Sequence, residues 1–352
     1  MSQPPLVLIT GGTGFLALWV ITHLFRAGYR VRTTVRSLSN IPHIKSCLRE
    51  AGVTAEQITS LEVVQADLLT DTNWAAAVAD TTYIQHIASP FPAHAPKDEN
   101  ELIAPAREGT LRVLRAARDV GCVKRVVLTS SFAAVGYGHA YEYAGSGGES
   151  GFTEEDWTDL NGERYVAAYQ KSKTLAERAA WEFMQNESRE RGGDEGGEKG
   201  KGLPFNLVTI CPVSIYGPAL GKEDGTSFRT LVELLTGNAP GIPKLHWPIV
   251  DWGAVCVYWE GSLWTEEIAQ ALRRNLGEKA RKVPTRVLPN LAVRITALFW
   301  PVVKLVLPEL GHEKTISNAK AREVLGWEWE YSSEEAVVAG GESLFKFGIV
   351  QV

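Results

Sequence analysis

The chain reads as an α/β protein, a doubly wound parallel sheet followed by a smaller, mainly helical C-terminal lobe. Three observations predict this. Six short, nearly continuous apolar runs, "PLVLIT", "RVRTTV", "LEVVQ", "TYIQHIA", "KRVVLTSS" and "FNLVTICP", are separated by segments of helix length. Runs without polar alternation belong to strands buried on both faces, as in parallel sheets covered by helices. A glycine-rich turn follows the first run, and the strand rhythm stops after "CPVSIYGP". The expected division is therefore 1–218 for the sheet domain and 219–352 for the lobe.

Between the runs, "DENELIAPAREGTLRVLRAARDV" (98–120) predicts a crossover helix, with Pro105 a candidate kink. The stretch "NESRERGGDEGGEKGKG" (186–202) is all polar or glycine, cannot bury a face, and is expected to be a mobile surface loop. Beyond residue 218, "TEEIAQALRRNL", "NAKAREVLGW" and "SSEEAVVAGGESLFKFG" predict helices. The apolar window 291–308 is broken by Arg294, Pro301 and Lys304, which favours a packed helix pair over a membrane contact.

Composition narrows the class. Apolar residues at 45% and charged residues at 22% fit an ordinary globular protein. With 36 Lys and Arg against 41 Asp and Glu, the net charge of −5 gives no basic footprint for nucleic acid. The four cysteines form no CxxC pair, which argues against a zinc site or a disulfide framework and for a reducing compartment. The N-terminus carries no basic leader before its apolar strand, so a cytoplasmic location is expected.

The first turn is "TGGTGFLA". In a strand, glycine loop, helix unit, Gly11 permits the sharp turn and Gly14 lets the backbone approach a pyrophosphate at the helix N-terminus, where Phe15 and Leu16 begin the helix. The last fingerprint position needs only a small side chain, and Ala17 supplies one. This is the signature of a Rossmann-type dinucleotide domain, and the second strand selects the dinucleotide. It ends in Arg36, where an NAD site usually has a carboxylate and a cation suits the 2′-phosphate of NADP. Downstream, Asp67 with Leu68 ends the third strand, where a carboxylate can meet the adenine amino group. Ala88 ends the fourth, with a backbone able to line the same groove.

A second constellation lies in "AAYQKSKTLAERAAW". Without Gly or Pro, and rich in Ala, Glu, Lys and Leu, it predicts a helix with Tyr169 and Lys173 on one face. An ammonium nearby favours the phenolate, which suits a tyrosine that gives and takes a proton. Such a pair alone is an ordinary solvated one. What sets it apart is "RVVLTSSFAAVGYG", which brings Thr129, Ser130 and Ser131 to the C-terminal end of the fifth strand, the rim where a dinucleotide would lie. A serine hydroxyl there could hold a carbonyl oxygen against the tyrosine.

With these pieces together, the chain resembles the extended short-chain dehydrogenase/reductase superfamily, and within it the dihydroflavonol-reductase-like and aldehyde or methylglyoxal reductase group. The similar motifs are "TGGTGFLA", "TTVRS", "ADL", "HIASP", "VKRVVLTSS", "YQKSKTLAERAAW", "CPVSIYGP" and "KVPTRVLPN". The resemblance implies an NADP(H)-dependent reductase of an aldehyde or ketone, or the reverse alcohol oxidation, acting as a monomer or homodimer. It implies that Ser131 polarises the carbonyl, Tyr169 is the acid, and Lys173 holds the nicotinamide ribose. Pro212 and Val213 match the segment whose backbone meets the carboxamide, Thr129 lines the cofactor groove, and Ser227 matches a phosphate-contacting serine. Gly136 stands where plant flavonoid reductases carry an asparagine, which disfavours a flavonoid substrate.

One departure stands out. At "IVDWGAVCVYWEGSLWTEEIAQ" the chain lacks a helix and a strand that the family carries, so 251–264 is shortened, through a misjoined gene model or a real loss. Two alternatives follow: a nucleotide-sugar epimerase or dehydratase of the same superfamily, against which Arg36 and "SKTLAE" speak, and a non-catalytic dinucleotide-binding protein.

Overall fold

The computed structural model describes residues 3–89, 98–192, 203–222, 228–252, 261–299, 307–328 and 330–352. The chain divides into two compact units, Met1–Ala134 with Ala168–Cys211, and Val135–Ala167 with Pro212–Val352. The sequence reading drew one boundary at 218. The units instead divide at 211, and residues 135–167 group with the C-terminal part.

The first unit is built on β1 (Leu6–Ile9), β2 (Arg30–Val35), β3 (Glu62–Gln65), β4 (Tyr83–His86), β5 (Arg125–Thr129) and β6 (Asn206–Ile210). All pairs are parallel, in the order β3-β2-β1-β4-β5-β6. These are the six apolar runs, and the order reverses between β1 and β4, the switch point where such sheets take ligands. Helices α1 (Phe15–Arg26), α2 (Ile41–Glu50), α3 (Ala55–Ser60), α4 (Trp74–Val78), α5 (Asn100–Val120) and α6 (Ala168–Gly192) flank them. Helix α5 runs through Pro105. Its apolar face, with Val113, Leu114 and Ala117, joins Trp74, Ile84, Val126, Ala180 and Phe205 in one buried cluster.

The expectation of a loop from 186 onward needs correction. Residues 186–192 continue α6. A helix already nucleated over 168–185 extends at little cost, whatever its exposed residues are. Arg118 of α5 fastens this stretch by pairing with Glu187, and its guanidinium lies 5.7 Å from the Phe183 ring centre. Residues 193–202 lie outside the described residues.

The second unit contains α7 (Phe228–Thr236), which was not foreseen, and helices in the segments the sequence predicts: α8 (Thr265–Leu276), α9 (Asn290–Phe299), α10 (Ala319–Leu325) and α11 (Ser333–Lys346). It also contains a sheet that was not foreseen, β7 (Ser214–Tyr216), β8 (His246–Asp251) and β9 (Gly261–Trp264) in that order, with β7 and β8 parallel and β9 antiparallel. Pro248, Gly261 and Ser262 are poor strand formers, which hid these strands. Helix α11 starts with a capping box between Ser332 and Glu335, and packs Gly341 so tightly on α8 that a Cβ would lie 2.8 Å from Leu272.

Residues 135–167 join this unit through a bridge of Phe152 to Ile316, where Phe152 N donates to Thr315 O (2.9 Å) and Ser317 N donates to Phe152 O (2.8 Å). Of the stretch 251–264, residues 253–260 lie outside the described residues, as do 300–306 of the apolar window. Among the described residues no helix is long and apolar enough to cross a membrane.

Candidate active site

Strand β1 delivers the chain into the glycine loop. Gly11 has φ +77°, and a Cβ there would meet the Ala88 Cβ at 3.0 Å. At Gly12 a Cβ would fall 2.2 Å from the Thr33 hydroxyl, so this glycine is fixed by packing against β2. Gly14 is the exposed N-cap of α1; it offers no side-chain acceptor to the first turn, and that turn holds no carboxylate. The end of α1 at Phe15 and Leu16 therefore keeps its positive pole without an anion of its own, which is the donor chemistry a pyrophosphate needs. Ala17 is fully buried, as helix packing at that position requires.

A tie that sequence reasoning missed joins β1 to β4. The Thr10 hydroxyl accepts from Ile87 N (3.0 Å) and Ala88 N (2.9 Å) and lies 2.8 Å from His86 Nδ1. With both lone pairs engaged, Thr10 donates its proton to Nδ1, which assigns the imidazole proton to Nε2. Burial pushes His86 down to about 3, and the Lys173 charge adds to the fall, so the ring is neutral. The signal was present in "HIASP", whose histidine carried no assigned role.

The arginines of β2 differ in employment. Arg30 and Arg32 reach Glu62 at 3.0 and 2.6 Å, and Arg32 also donates to Ala77 O and Ala79 O at the end of α4. Arg36, just past β2, is exposed and has no ion pair among the described residues. Asp67 is half-buried and accepts from Leu69 N at 2.9 Å, while its carbonyl accepts from Trp74 Nε1 at 3.0 Å. Leu68 packs on Gly109 of α5, where a Cβ would lie 2.9 Å from its own.

The end of β5 meets α6 at two points. Lys173, buried, donates from Nζ to Thr129 O at 3.5 Å. One turn further on, Glu177 is buried and accepts from Ser130 Oγ at 2.5 Å, Trp181 Nε1 at 3.3 Å and Cys211 Sγ at 3.5 Å. Ser130 N also donates to Ile210 O on β6 at 2.7 Å. Ser131 follows, half-buried, its Oγ accepting from Ala133 N at 3.1 Å, so the hydroxyl proton points elsewhere. Tyr169, half-buried in the first turn of α6, lies one turn before Lys173 on the same face.

The structure thus gathers Thr129, Ser131, Tyr169 and Lys173 at the junction of β5 and α6, and Gly11, Gly14 and Ala88 at that of β1 and β4, all in the first unit. Pro212 and Val213 link β6 to β7 and begin the second unit. Ser227 lies outside the described residues. Glu177 and Thr10 were not foreseen, although Glu177 follows Lys173 by four within the same helical motif.

Comparison with known proteins bears on the family and the fold. The chain is 33% identical to dihydroflavonol 4-reductase of Zea mays over 68% of its own length and 60% of that protein's. It is 33% identical to anthocyanidin reductase of Arabidopsis thaliana over 65% of this chain and 61% of that one. In these matches the chain spans less than two thirds of the curated relatives' length. Among solved structures, Gre2 of Candida albicans in complex with NADPH superposes with a TM-score of 0.72 at 25% identity, covering 98% of this chain and 99% of that one. The model of the NAD dependent epimerase/dehydratase family matches residues 7–240, and the chain belongs to that family, the extended short-chain dehydrogenase/reductases.

Proposed function

We propose that the protein reduces an aldehyde or ketone to an alcohol with NADPH, with Tyr169 as the acid. The observation that carries this reading is the double tie of α6 to the end of β5, which sets Tyr169 and Lys173 beside the strand end that carries Ser131. The relatives are reductases by name, and the Gre2 structure is a complex with NADPH.

The dinucleotide fits the residues present. The N-terminus of α1 and the backbone of Gly11 and Gly14 would hold the pyrophosphate, the unengaged Arg36 the 2′-phosphate, and Asp67 with Leu68 the adenine side. Thr129 and Ala88 would line the groove, Lys173 would bind the nicotinamide ribose, and Pro212 and Val213 would meet the carboxamide. Ser227 would be the further phosphate contact that the family resemblance implies. Bound NADPH supplies the hydride. Held by the Ser131 hydroxyl, the carbonyl oxygen would take the proton of Tyr169 as the carbonyl is reduced, and the alcohol would leave. The Lys173 ammonium faces the phenolate left behind, and water returns the proton.

The test is a titration of the purified protein with NADPH and with NADH, read by nicotinamide fluorescence, followed by a panel of aldehydes and diketones. Preferential NADPH binding and loss of its signal on adding a carbonyl are expected. NADPH binding with no carbonyl consuming it would overturn the reductase and leave a dinucleotide-binding protein.

A further inference from the structure

Helix α9 is apolar on two sides. Its inner face is packed: Val293 is buried in one cluster with Leu245 and Leu310, and Ala297 is buried one turn further on. The outer face carries Leu291, Arg294, Ile295 and Leu298, at the spacing of three and four residues that lines up one side of a helix. Leu291 is 69%, Ile295 50% and Leu298 74% exposed, and Val287, in the segment leading into the helix, is exposed as well. A surface helix ordinarily keeps polar residues on that side. In the window expected to pack rather than to meet a membrane, α9 therefore packs through one face and leaves an apolar stripe in water.

The charge around the stripe has one sign. From residue 279 to residue 299 the sequence holds the cations Lys279, Arg281, Lys282, Arg286 and Arg294 and no Asp or Glu, in a chain whose net charge is −5. Arg286 and Arg294 are exposed and have no ion pair among the described residues. Arg294 lies within the stripe, and Arg286 directly precedes Val287. Glu309 belongs to the segment that shares the α9 cluster through Leu307 and Leu310, and it is engaged by Lys314 at 2.7 Å and Arg164 at 3.4 Å.

This combination decides what covers the stripe. A second copy related by a twofold axis would bring the two Arg294 side chains together with no carboxylate from 279–299 between them. One face of a ten-residue helix also falls well short of the roughly 800 Å² that each partner of a stable complex buries. A lipid surface accepts both features: aliphatic side chains enter the boundary of headgroups and acyl chains, while arginine heads stay at the level of the phosphates. At about 15 Å long, the helix lies along such a surface and cannot cross it. We infer that α9 docks on an anionic phospholipid bilayer, with Leu291, Ile295 and Leu298 immersed and Arg286 and Arg294 on the lipid phosphates.

The test is flotation of the full chain with vesicles of phosphatidylcholine, and of phosphatidylcholine mixed with phosphatidylglycerol in equal parts. The wild type is expected to bind the mixed vesicles about tenfold or more tightly than the neutral ones, and to lose this preference as salt is raised. Leu291→Gln with Leu298→Gln should abolish flotation, and Arg286→Gln with Arg294→Gln should bring the mixed vesicles down to the neutral level. Val324→Gln, which removes an exposed aliphatic side chain from α10, should float like the wild type. An unchanged thermal unfolding curve establishes that each variant is folded. No flotation, equal flotation with both vesicles, or flotation that survives loss of the two leucines would overturn the inference. So would a wild-type dimer, seen by light scattering, that the leucine variant turns into a monomer, since the stripe would then belong to a second copy.

Discussion

Ser130 donates its hydroxyl proton to Glu177 across 2.5 Å, with neither side chain open to water. One turn earlier on α6, Lys173 reaches the carbonyl of Thr129. These contacts fix the rotation and height of α6 on β5, and so place Tyr169 relative to Ser131. Ser130→Ala and Glu177→Leu are each expected to lower kcat by about tenfold through misplacement of the acid, with NADPH affinity unchanged. Because Ser130→Ala removes only a contact that Glu177→Leu also removes, the double variant should be no worse than the poorer single one. Additive losses, or undiminished kcat per NADPH-binding site, would show that the pair only stabilises the fold.

Arg36, just past β2, has no ion pair among the described residues, whereas Arg30 and Arg32 of β2 pair with Glu62. Arg36→Glu should weaken NADPH by about 1–3 kcal/mol, the size of a lost charge-assisted phosphate contact, and weaken NADH far less. Equal loss for the two dinucleotides would mark a structural arginine.

His86 predicts a pH dependence of stability. Its folded value of about 3 lies below the unfolded value near 6.5, so the unfolded chain binds the proton first as pH falls. The folded state then loses about 1.4 kcal/mol per pH unit from this one group between about 6.5 and 3, and loses nothing above that range. Urea unfolding at pH 6.5 and 5 should show a smaller difference in His86→Gln than in the wild type, by roughly 2 kcal/mol. An identical difference in both proteins would mean that His86 is not the group responsible.

The six-stranded sheet was legible because its strands are buried on both faces and so lack polar interruptions, and the loop was legible because Gly11 and Gly14 occupy positions where backbone geometry matters. Gly12 escaped notice because its constraint comes from Thr33 on the neighbouring strand. The same holds for Thr10 with His86, and for Ser130 with Glu177: each partner is far away in sequence, and an alternation pattern carries no pairing. The strands β7 to β9 were hidden by Pro248 and Gly261, and the end of α6 by a composition that signals a loop unless a helix is already running into it. What separated Arg36 from Arg32 was Glu62, visible only once β2 and β3 are paired.

Whether Tyr169 delivers the proton is decided by Tyr169→Phe. NADPH affinity should stay within about twofold while kcat falls by about 100-fold or more, the range of a lost general acid. Turnover equal to that of the wild type in a variant that still binds NADPH would rule out Tyr169 as the proton donor.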